Sequence, residues 1–324
     1  MSRASGLSVD VSIIVVSHDS EEDLRVCLPA ASAQAGVAVE VVVVDNASRD
    51  GSRDTAGRLG ARVVALEVNR GFAGGANAGI SASRGRFVLT LNPDCRLTTD
   101  FCRTLCEALD RPDAADVGSA SGKLFRAEGP GLGASSTLDS TGIVFTASGR
   151  HFDRDAGTVE TGDPVRKIEI GGVTGAAGFY RRAALESIRI STGLFDEDFF
   201  LYREDADLAL RLRAAGWRCF YVPGAVAFHR RANLPERRGR MPAAANFHSV
   251  KNRFLLRFNN SPVPEFRFVS TLARDLVVLA ACLTVERASL PAFSYLWKNR
   301  RRLRAKRREI SALRRSKALY PERS

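Results

Sequence analysis

The stretch "RFVLTLNPDC", residues 86–95, joins a short apolar run to a polar corner. The run from Phe87 to Leu91 is rich in strand formers, and its lack of polar alternation is typical of a strand covered on both faces. Pro93 restricts its own φ and biases the preceding residue toward extended geometry, so we expect Asn92 and Asp94 to diverge from a rigid corner. These residue types also form ordinary turns, so the tripeptide alone leaves a turn and a ligand site both open.

Three further apolar runs of strand length precede this one, and helical stretches fit between them. The runs are "VSIIVV" (11–16), "VEVVVVD" (39–45) and "ARVVALE" (61–67), and the predicted helices cover residues 21–35, 50–59 and 74–84. Strands that alternate with helices of this length predict an α/β fold with a doubly wound, mostly parallel sheet. Residues 119–170, rich in Gly, Ser, Thr and Asp, are expected to form loops with small strands.

In such sheets ligands bind outside the carboxyl ends of the strands, and this sequence concentrates polar residues there. The four predicted strands are followed by Ser17-His18-Asp19, Asp45-Asn46-Ala47-Ser48, Asn69-Arg70-Gly71-Phe72 and Asn92-Pro93-Asp94. We therefore expect the four strand ends to converge on one crevice.

Composition and charge are those of a globular chain with a basic end. The 324 residues are 45% hydrophobic and 26% charged, enough for one large domain with an appendage or for two domains. The net charge of +12 is uneven, because residues 298–324 hold twelve Lys and Arg against two Glu. This tail is expected to meet an anionic surface. Residues 266–290 are expected to form a packed or interfacial helix, too short in its uncharged run to span a bilayer.

The N-terminus has only a strand-sized apolar run, which predicts a protein without a signal peptide that resides on the cytosolic side. The six cysteines include no CxxC pair and are expected to be reduced and buried. A nucleic-acid partner is not expected, because aromatic residues do not interleave with the tail cations and no finger or helix-turn-helix pattern occurs.

Several polar residues have positions that suggest ligand chemistry. Asp45 ends a strand and should face the crevice, where a nucleoside fits, but the Gly-rich loop of a dinucleotide fold is missing after the first strand. "NRGFAGGANAGI" (69–80) fits either a phosphate-binding helix start or tight helix packing. Asp205 shares the inward face of "EDADLALRLRAAG", and a cleft best explains an acidic side chain there. His229 is either a core residue or, with Asp94, part of a Mg²⁺ or Mn²⁺ site.

Taken in order, the motifs between residues 10 and about 230 resemble those of a family 2 glycosyltransferase with the GT-A fold, and are most similar to bacterial enzymes of the rhamnosyltransferase type. The motifs are "VSIIVVSHDS", "VVVVDNASRDGS", "NRGFAGGANAGI", "LNPD", "GAAGFYRRAAL", "FDEDFFLYREDADLALRLRAAGW" and "VPGAVAFH". Each is unspecific alone, but their conjunction is highly specific. By this resemblance Asn92-Pro93-Asp94 is the family's variant of the metal-binding DxD motif, with Asn92 in place of the first carboxylate.

The resemblance also implies roles for residues on the donor side. Asp45 would contact the pyrimidine base, and Ser17 and Asp19 would line the nucleoside pocket. Asn77 would help to hold the donor, together with the corner at Asn92. The cofactor would be Mg²⁺ or Mn²⁺, bound across the donor diphosphate by Asp94 and His229.

On the acceptor side, the resemblance implies that Asp205 is the catalytic base, because it matches the Asp of the family's "ED" motif. Gly175, Ala176 and Glu204 would lie near the acceptor.

These expectations combine into a domain plan and a function. Residues 1–118 would form the nucleotide-sugar-binding half of a GT-A domain, 119–230 its acceptor and catalytic half, and 231–324 a helical, basic, membrane-associating region. The enzyme would move a sugar, with L-rhamnose from dTDP-L-rhamnose as the first choice and a UDP-sugar as the next, onto a lipid-linked or cell-envelope glycan with inversion. Its place would be peripheral, on the inner face of the cell membrane. The alternative is a non-catalytic nucleotide-sugar or nucleic-acid binding module.

Overall fold

The computed structural model describes residues 9–162, 168–231, 243–264 and 266–314. Its elements in chain order are β1 (Val11–Ser17), α1 (Glu21–Ser32), β2 (Val39–Asp45), α2 (Ser52–Arg58), β3 (Arg62–Ala65), α3 (Gly71–Ser81), β4 (Phe87–Leu91), β5 (Cys95–Leu97), α4 (Phe101–Leu109), β6 (Val117–Glu128), β7 (Gly133–Ser140), β8 (Ile143–Phe145), β9 (His151–Asp153), β10 (Ile168–Glu169), β11 (Ala177–Arg181), α5 (Arg182–Ser187), α6 (Glu204–Ala214), β12 (Arg218–His229), α7 (Ala243–Asn260), α8 (Phe268–Thr284), α9 (Pro291–Lys298) and α10 (Arg300–Ala312).

One mixed sheet organises the chain. Among the described residues it has ten strands in the order β10-β12-β6-β11-β4-β1-β2-β3, with β5 beside β12 and β7 beside β6. The neighbours β4, β1, β2 and β3 are parallel, as the alternation of elements predicted. β11 is antiparallel to both β4 and β6, and β12 is parallel to β6. The predicted α/β class with a mostly parallel central sheet is confirmed.

Helices cover both faces of the sheet, which explains why the central strands lack polar alternation. Residues of α1 and α4 pack on one face, and residues of α3, α5 and α6 pack on the other. On β1, Ile13 belongs to the first cluster and its neighbour Ile14 to the second, and both are fully buried.

The glycines of α3 set how closely this helix approaches the sheet. A β-carbon at Gly79 would lie 2.3 Å from Ile14 Cγ2, and one at Gly75 would lie 2.5 Å from Val16 Cγ1. Of the two interpretations left open for this segment, tight helix packing therefore accounts for Gly75 and Gly79. The helix begins at Gly71, three residues before the predicted start, and φ at Gly71 is +68°.

The expectation of loops over residues 119–170 is wrong for its first part. β6 has twelve residues and lies between β11 and β12, and β7 continues the sheet beside it. Small side chains such as Ser119, Ala120 and Ser121 are buried there. A strand made of small residues lacks the β-branched signal that marks β1 and β2, and its position is set by its neighbours in the sheet.

The region after β12 is helical where the structure describes it, and it packs on the body. Leu255 and Leu256 of α7 and Leu303 of α10 share a buried cluster with Phe199 and Leu210. The helix predicted for residues 266–290 is observed as α8, Phe268–Thr284, and Pro291 opens the separate helix α9. Residues 232–242 and 315–324, part of the predicted basic region, lie outside the described residues.

None of the described helices alone has the length and apolar character needed to cross a membrane. Only together do α8 and the segment Arg287–Lys298 have sufficient length and apolar character, and the two are separated by a bend of 113°.

All six cysteines are buried free thiols, as expected. Burial raises the pKa of the Cys27, Cys95, Cys102, Cys106 and Cys219 thiols, because the charged form loses its solvation. These thiols are therefore unreactive in the folded protein.

A glycine-to-alanine pair tests the packing of α3. Gly79→Ala is expected to lower the free energy of unfolding by about 1–3 kcal/mol, because the added methyl group overlaps Ile14 and Val44. The control is Gly57→Ala in α2, where a β-carbon meets nothing within 4 Å and a gain of about 0.5–1 kcal/mol is expected. Urea unfolding of the three proteins measures both changes. Equal stability of Gly79→Ala and the unsubstituted protein would contradict the close approach.

Candidate active site

A crevice opens where the parallel strands β1 and β2 end. Ser17 and Asp45 are direct partners in the strand register, so their side chains are neighbours at this edge. Both are buried, and the Ser17 hydroxyl has no hydrogen-bond partner among the described residues. A cavity of about 900 Å³ lies outside them, and Asp19, Asp45 and Asn69 are among its lining residues. The structure therefore brings together three of the residues predicted for the nucleoside pocket.

The rim of this cavity is held by hydrogen bonds between the loops after β1 and β2. The Asp19 carboxylate accepts a bond of 2.6 Å from the Arg49 amide, and the Asp19 amide donates to Ser48 Oγ over 3.1 Å. Asp19 and Ala47 both have positive φ, of 50° and 63°. The cross-loop bonds hold Asp19 and Ala47 in backbone conformations that residues other than glycine adopt infrequently.

Asn46 is a site residue that the sequence interpretation did not single out. Its amide nitrogen donates to Asn69 Oδ1 and to the Gly71 carbonyl, and its oxygen accepts from the Arg70 amide. The side chain therefore joins the end of β2 to the start of α3. Its position directly after Asp45 was the available signal, but bonds to a loop more than twenty residues away leave no local pattern.

Asn77 lies outside this cavity. Its side chain bonds to the Phe195 amide and carbonyl and donates to Glu197, so it fixes the loop before α6 against α3. Asn77 lines a different cavity, of about 540 Å³, together with Arg70 and Glu197. The structure does not bring Asn77 to Asp45, because its amide groups are engaged by that loop, and contact with the donor stays a prediction.

The Asn92-Pro93-Asp94 corner meets His229 through strand pairing. Cys95 of β5 is the register partner of His229 at the end of β12, which places Asp94 beside the imidazole. Nε2 of His229 lies 3.3 Å from Asp94 Oδ1 and 3.4 Å from Nδ2 of the Asn92 side chain. The predicted pair of Asp94 and His229 is thus in contact.

The other ring nitrogen of His229 has a partner that the sequence did not reveal. Nδ1 lies 2.7 Å from Asp139 Oδ2, and Asp139 is fully buried at the end of β7. Arg231 Nε lies 2.8 Å from the second oxygen of Asp139. Burial opposes the charged imidazole, but the bonds to Asp139 and Asp94 outweigh it and raise the pKa of His229 to about 9.

Asp205 lies in the first turn of α6. Its Oδ2 accepts a hydrogen bond of 3.0 Å from the Gly175 amide. Burial, followed by the negative charge of Asp153, raises the pKa of Asp205 to about 6. Asp205 is partly buried, and a carboxylate with a pKa close to neutrality is suited to accept a proton.

A short main-chain connection joins the two chemical groups of the site. Gly175 binds the carboxylate of Asp205, and the next carbonyl, of Ala176, accepts from the Asn92 amide over 2.9 Å. The segment predicted to lie near the acceptor therefore bridges the Asn92 corner and Asp205. Glu204 is buried beside them, and burial together with the charge of Asp205 raises its pKa well above the usual range.

The loop before α6 has a strained backbone that the C-terminal helices hold. Phe200, Tyr202 and Arg203 all have positive φ. The side-chain nitrogen Nδ2 of Asn252 on α7 donates to the carbonyls of Phe199, Leu201 and Tyr202, at 2.7–2.8 Å. Asn252 therefore fixes the turn from which Glu204 and Asp205 project, a role that its place in the sequence did not indicate.

A mostly parallel sheet of this order, with a crevice at the ends of the parallel strands, is the GT-A fold. The sequence profile described as "Glycosyl transferase family 2" matches residues 12–189, more than half of the chain. The chain belongs to glycosyl transferase family 2.

Two curated relatives illustrate the range of this family. The succinoglycan biosynthesis protein ExoO of Rhizobium meliloti is 36% identical over 126 residues, which are 36% of each protein, so the chain spans about a third of that relative. The N-acetylglucosaminyl-diphospho-decaprenol L-rhamnosyltransferase of Mycobacterium tuberculosis is 27% identical over 252 residues, covering 72% of this chain and 78% of that protein.

Solved structures share the fold at low sequence identity. TarS of S. aureus is 18% identical with a TM-score of 0.56, covering 94% of this chain and 53% of that one. TarS 1–349 in complex with UDP-GlcNAc is 16% identical with a TM-score of 0.53, covering 94% and 89%. The mannosyltransferase PcManGT of Pyrobaculum calidifontis, in complex with GDP-Man and Mn²⁺, is 17% identical with a TM-score of 0.50, covering 95% and 86%.

Removal of the Asp139 charge tests the environment of His229. In metal-free protein, Asp139→Asn is expected to lower the pKa of His229 from about 9 by at least one unit, because a charged hydrogen-bond partner is lost. Histidine-detected NMR titration measures the change. The raised pKa of His229 adds stability below pH about 6.5 that is lost as the pH rises through about 9, and Asp139→Asn should weaken this dependence. An unchanged titration of His229 would contradict the assignment.

Proposed function

We propose that this glycosyltransferase acts with inversion, depends on a divalent metal, and transfers a sugar from a pyrimidine nucleotide to a lipid-linked acceptor. The proposal rests on two hydrogen bonds made by neighbouring residues. The Gly175 amide donates to the Asp205 carboxylate, and the Ala176 carbonyl accepts from the backbone amide of Asn92. A proton acceptor and a diphosphate site are thereby joined by two neighbouring residues. L-rhamnose is the proposed sugar, on the strength of the mycobacterial relative's name.

The donor nucleoside is proposed to lie in the cavity beside Asp45 and Asp19. Asp45 is 5% exposed and faces this cavity, so its carboxylate is available to bond the base. The free hydroxyl of Ser17 at the same edge offers one further hydrogen-bonding group. One carboxylate discriminates poorly between thymine and uracil, so both dTDP- and UDP-sugars fit this arrangement.

The corner at Asp94 fits a divalent ion by the chemistry of its side chains. Asp94 supplies a carboxylate oxygen, and His229 supplies Nε2 while its Nδ1 is oriented by the buried carboxylate of Asp139, the usual second partner of a metal-binding histidine. In the part of the chain that the structure describes, no three or more His, Cys, Asp or Glu side chains are grouped so that they could hold a metal ion by themselves. A bound Mg²⁺ or Mn²⁺ would supply charge stabilisation for the departing diphosphate.

Asp205 is proposed to accept the proton of the attacking acceptor hydroxyl. The amide bond from Gly175 orients one carboxylate oxygen, and burial keeps the pKa near neutrality, so the ionised form is both populated and basic. Burial, and after it the charge of Asp205, raises the pKa of Glu204 well above its usual range, which favours the neutral form of Glu204 beside Asp205. A single ionised base facing the donor corner favours direct displacement at the sugar carbon, and hence inversion.

The division of the chain into a donor half (1–118), an acceptor half (119–230) and a C-terminal region (231–324) is part of the proposal. Asp45 and the Asn92 corner belong to the first part, and Gly175 and Asp205 belong to the second. The bonds from Asn252 to residues 199–202 indicate that the C-terminal region stabilises the proposed acceptor half.

Contact with an anionic membrane from the inner face of the cell is proposed to use α8 as well as the basic end. Large apolar side chains of α8 are exposed, with Phe268 at 79%, Val269 at 76% and Leu276 at 58%. Exposed arginines, Arg267 and Arg287, flank this helix. An apolar face bordered by cations suits a surface-lying position on anionic lipid.

Replacement of the proposed base tests the reaction. Asp205→Asn keeps the shape and is expected to reduce transfer by about 10²–10⁴-fold, while donor binding, measured as thermal stabilisation by dTDP-L-rhamnose or a UDP-sugar with Mn²⁺, is retained. The matched control is Asp113→Asn, which changes an exposed carboxylate paired with Arg111. Near-normal turnover of Asp205→Asn would remove the assignment.

The pH dependence follows from the same carboxylate. Because Asp205 must be ionised to accept a proton and its pKa is about 6, kcat/KM is expected to rise with pH through about 6 and then level. The folded pKa is raised above the unfolded value, so the group also costs stability as the pH rises from about 4 through 6. A rate profile without an inflection between pH 5 and 7 would contradict the role.

The α8 face is tested with vesicles. The double variant Val269→Asp/Leu276→Asp is expected to lower binding to phosphatidylglycerol vesicles at least tenfold. Each of these exposed apolar side chains would contribute about 1.5–3 kcal/mol to binding when lipid buries it. The control Val159→Asp changes another valine, 62% exposed, on the body. Co-sedimentation measures binding, and equal binding by the double variant and the control would contradict a role of α8.

A further inference from the structure

Arg253 of α7 is a buried cation without a described anionic partner. Its side chain is 6% exposed, and no hydrogen bond or ion pair joins it to any residue that the structure describes. Buried charges in proteins are normally paired, because desolvation of an isolated charge is costly. A guanidinium in this position is therefore expected to meet an anion that binds from outside.

The groups around Arg253 are themselves cationic. Burial, and after it the charges of Arg203, Arg274, Arg257 and Arg150, lowers the pKa of Arg253 to about 9, so the guanidinium is still charged at neutral pH. Arg257 forms an ion pair with Asp275 through Nη2. The cluster concentrates positive charge where no described carboxylate neutralises Arg253.

Three segments assemble this cluster beside the catalytic side of the crevice. Arg203 directly precedes Glu204 and Asp205, and its Nη1 lies 3.2 Å from His151 Nδ1 on β9. Burial and the neighbouring arginines lower the pKa of His151 to about 3, so this ring is neutral and accepts the bond. Asn252, adjacent to Arg253, bonds to the carbonyls of residues 199–202, so α7 and the Arg203 loop are held together.

An apolar groove continues from the same helix. Phe254 and Arg257 of α7 line a cavity of about 740 Å³ together with Phe266, Phe293 and Trp297. Arg257, one of the charges that act on Arg253, is thus shared by the cluster and the groove. A cation cluster that adjoins an aromatic groove is complementary to a molecule with an anionic head and an apolar chain. The exposed face of α8 also includes Phe268, which lines this groove, so the groove is continuous with the surface proposed to meet lipid.

From this juxtaposition we infer that Arg253, with Arg203 and Arg150, binds the phosphate or diphosphate group of a lipid-linked acceptor whose hydrocarbon chain occupies the adjoining aromatic groove. The inference rests on the proposed function and names residues that would hold its acceptor. Placed there, the acceptor's anionic group lies next to the loop that carries Asp205, and its sugar hydroxyl can approach that base. Charge-assisted bonds from a guanidinium fork suit this group.

The test measures binding without turnover. Isothermal titration in EDTA, which leaves the donor corner without metal, compares farnesyl diphosphate, inorganic pyrophosphate and farnesol on the full-length protein. Farnesyl diphosphate is expected to bind more tightly than either of the other two, because only it uses both the cations and the groove. Equal affinity for pyrophosphate would overturn the lipid-linked source of the anion.

Variants identify the residue. Arg253→Met keeps the aliphatic stem and is expected to lower the affinity for farnesyl diphosphate and pyrophosphate by on the order of tenfold or more, with farnesol binding unchanged. Arg253→Lys keeps the charge and should retain part of the affinity, and Arg111→Gln, an exposed arginine paired with Asp113, is the control. Unchanged diphosphate affinity in Arg253→Met would overturn the site.

Stability separates an anion site from a structural arginine. Because Arg253→Met removes a buried charge without a described partner, its Tm is expected to equal or exceed that of the unsubstituted protein, and pyrophosphate should no longer raise it. A fall of several degrees in Tm with the pyrophosphate shift intact would overturn the inference. Donor turnover is measured on the same samples, so an absence of transfer with binding that depends on Arg253 would contradict the proposed function and leave the anion site in place.

Discussion

The loop before α6 depends on the side-chain amide of Asn252. Its two N–H groups are shared among three carbonyls of a turn whose residues Phe200, Tyr202 and Arg203 adopt positive φ, a conformation that costs free energy for residues other than glycine. Helix α6 begins directly after this turn. The direction of Asp205 is thus set from α7, a helix that follows it by about forty residues in the chain.

Further bonds from the C-terminal helices stabilise the same segment. Lys306 of α10 is buried and lies 2.5 Å from carboxylates of both Asp196 and Asp198, and Asn260 donates to Asp207. Asp207 also forms a fully buried ion pair with Arg211. Because removal of one partner from such a pair leaves an uncompensated charge, the helices after β12 are integral to the fold, although their composition suggested an appendage.

Local patterns were sufficient to predict the parallel part of the sheet, β1 to β4. Buried strands of Val and Ile followed by polar residues predicted the parallel sheet and the edge at which Ser17 and Asp45 meet. β6 was missed because its small side chains carry no strand signal, and Asp139 and Asn252 were missed because their partners are 90 and about 50 residues away. A motif records what a residue is, whereas these roles depend on which distant backbone or ring it meets.

The buried thiols allow the local stability of the molecule to be measured at several places. Cys27 and Cys95 lie in the core on one face of the sheet, whereas Cys282 lies in the small cluster formed by the C-terminal helices. A thiol that is inert when folded reacts only when its surroundings open, so its rate of alkylation reports the free energy of that opening. The two regions can therefore be followed separately in one unsubstituted chain, and a ligand that orders only one of them will slow only its own cysteines.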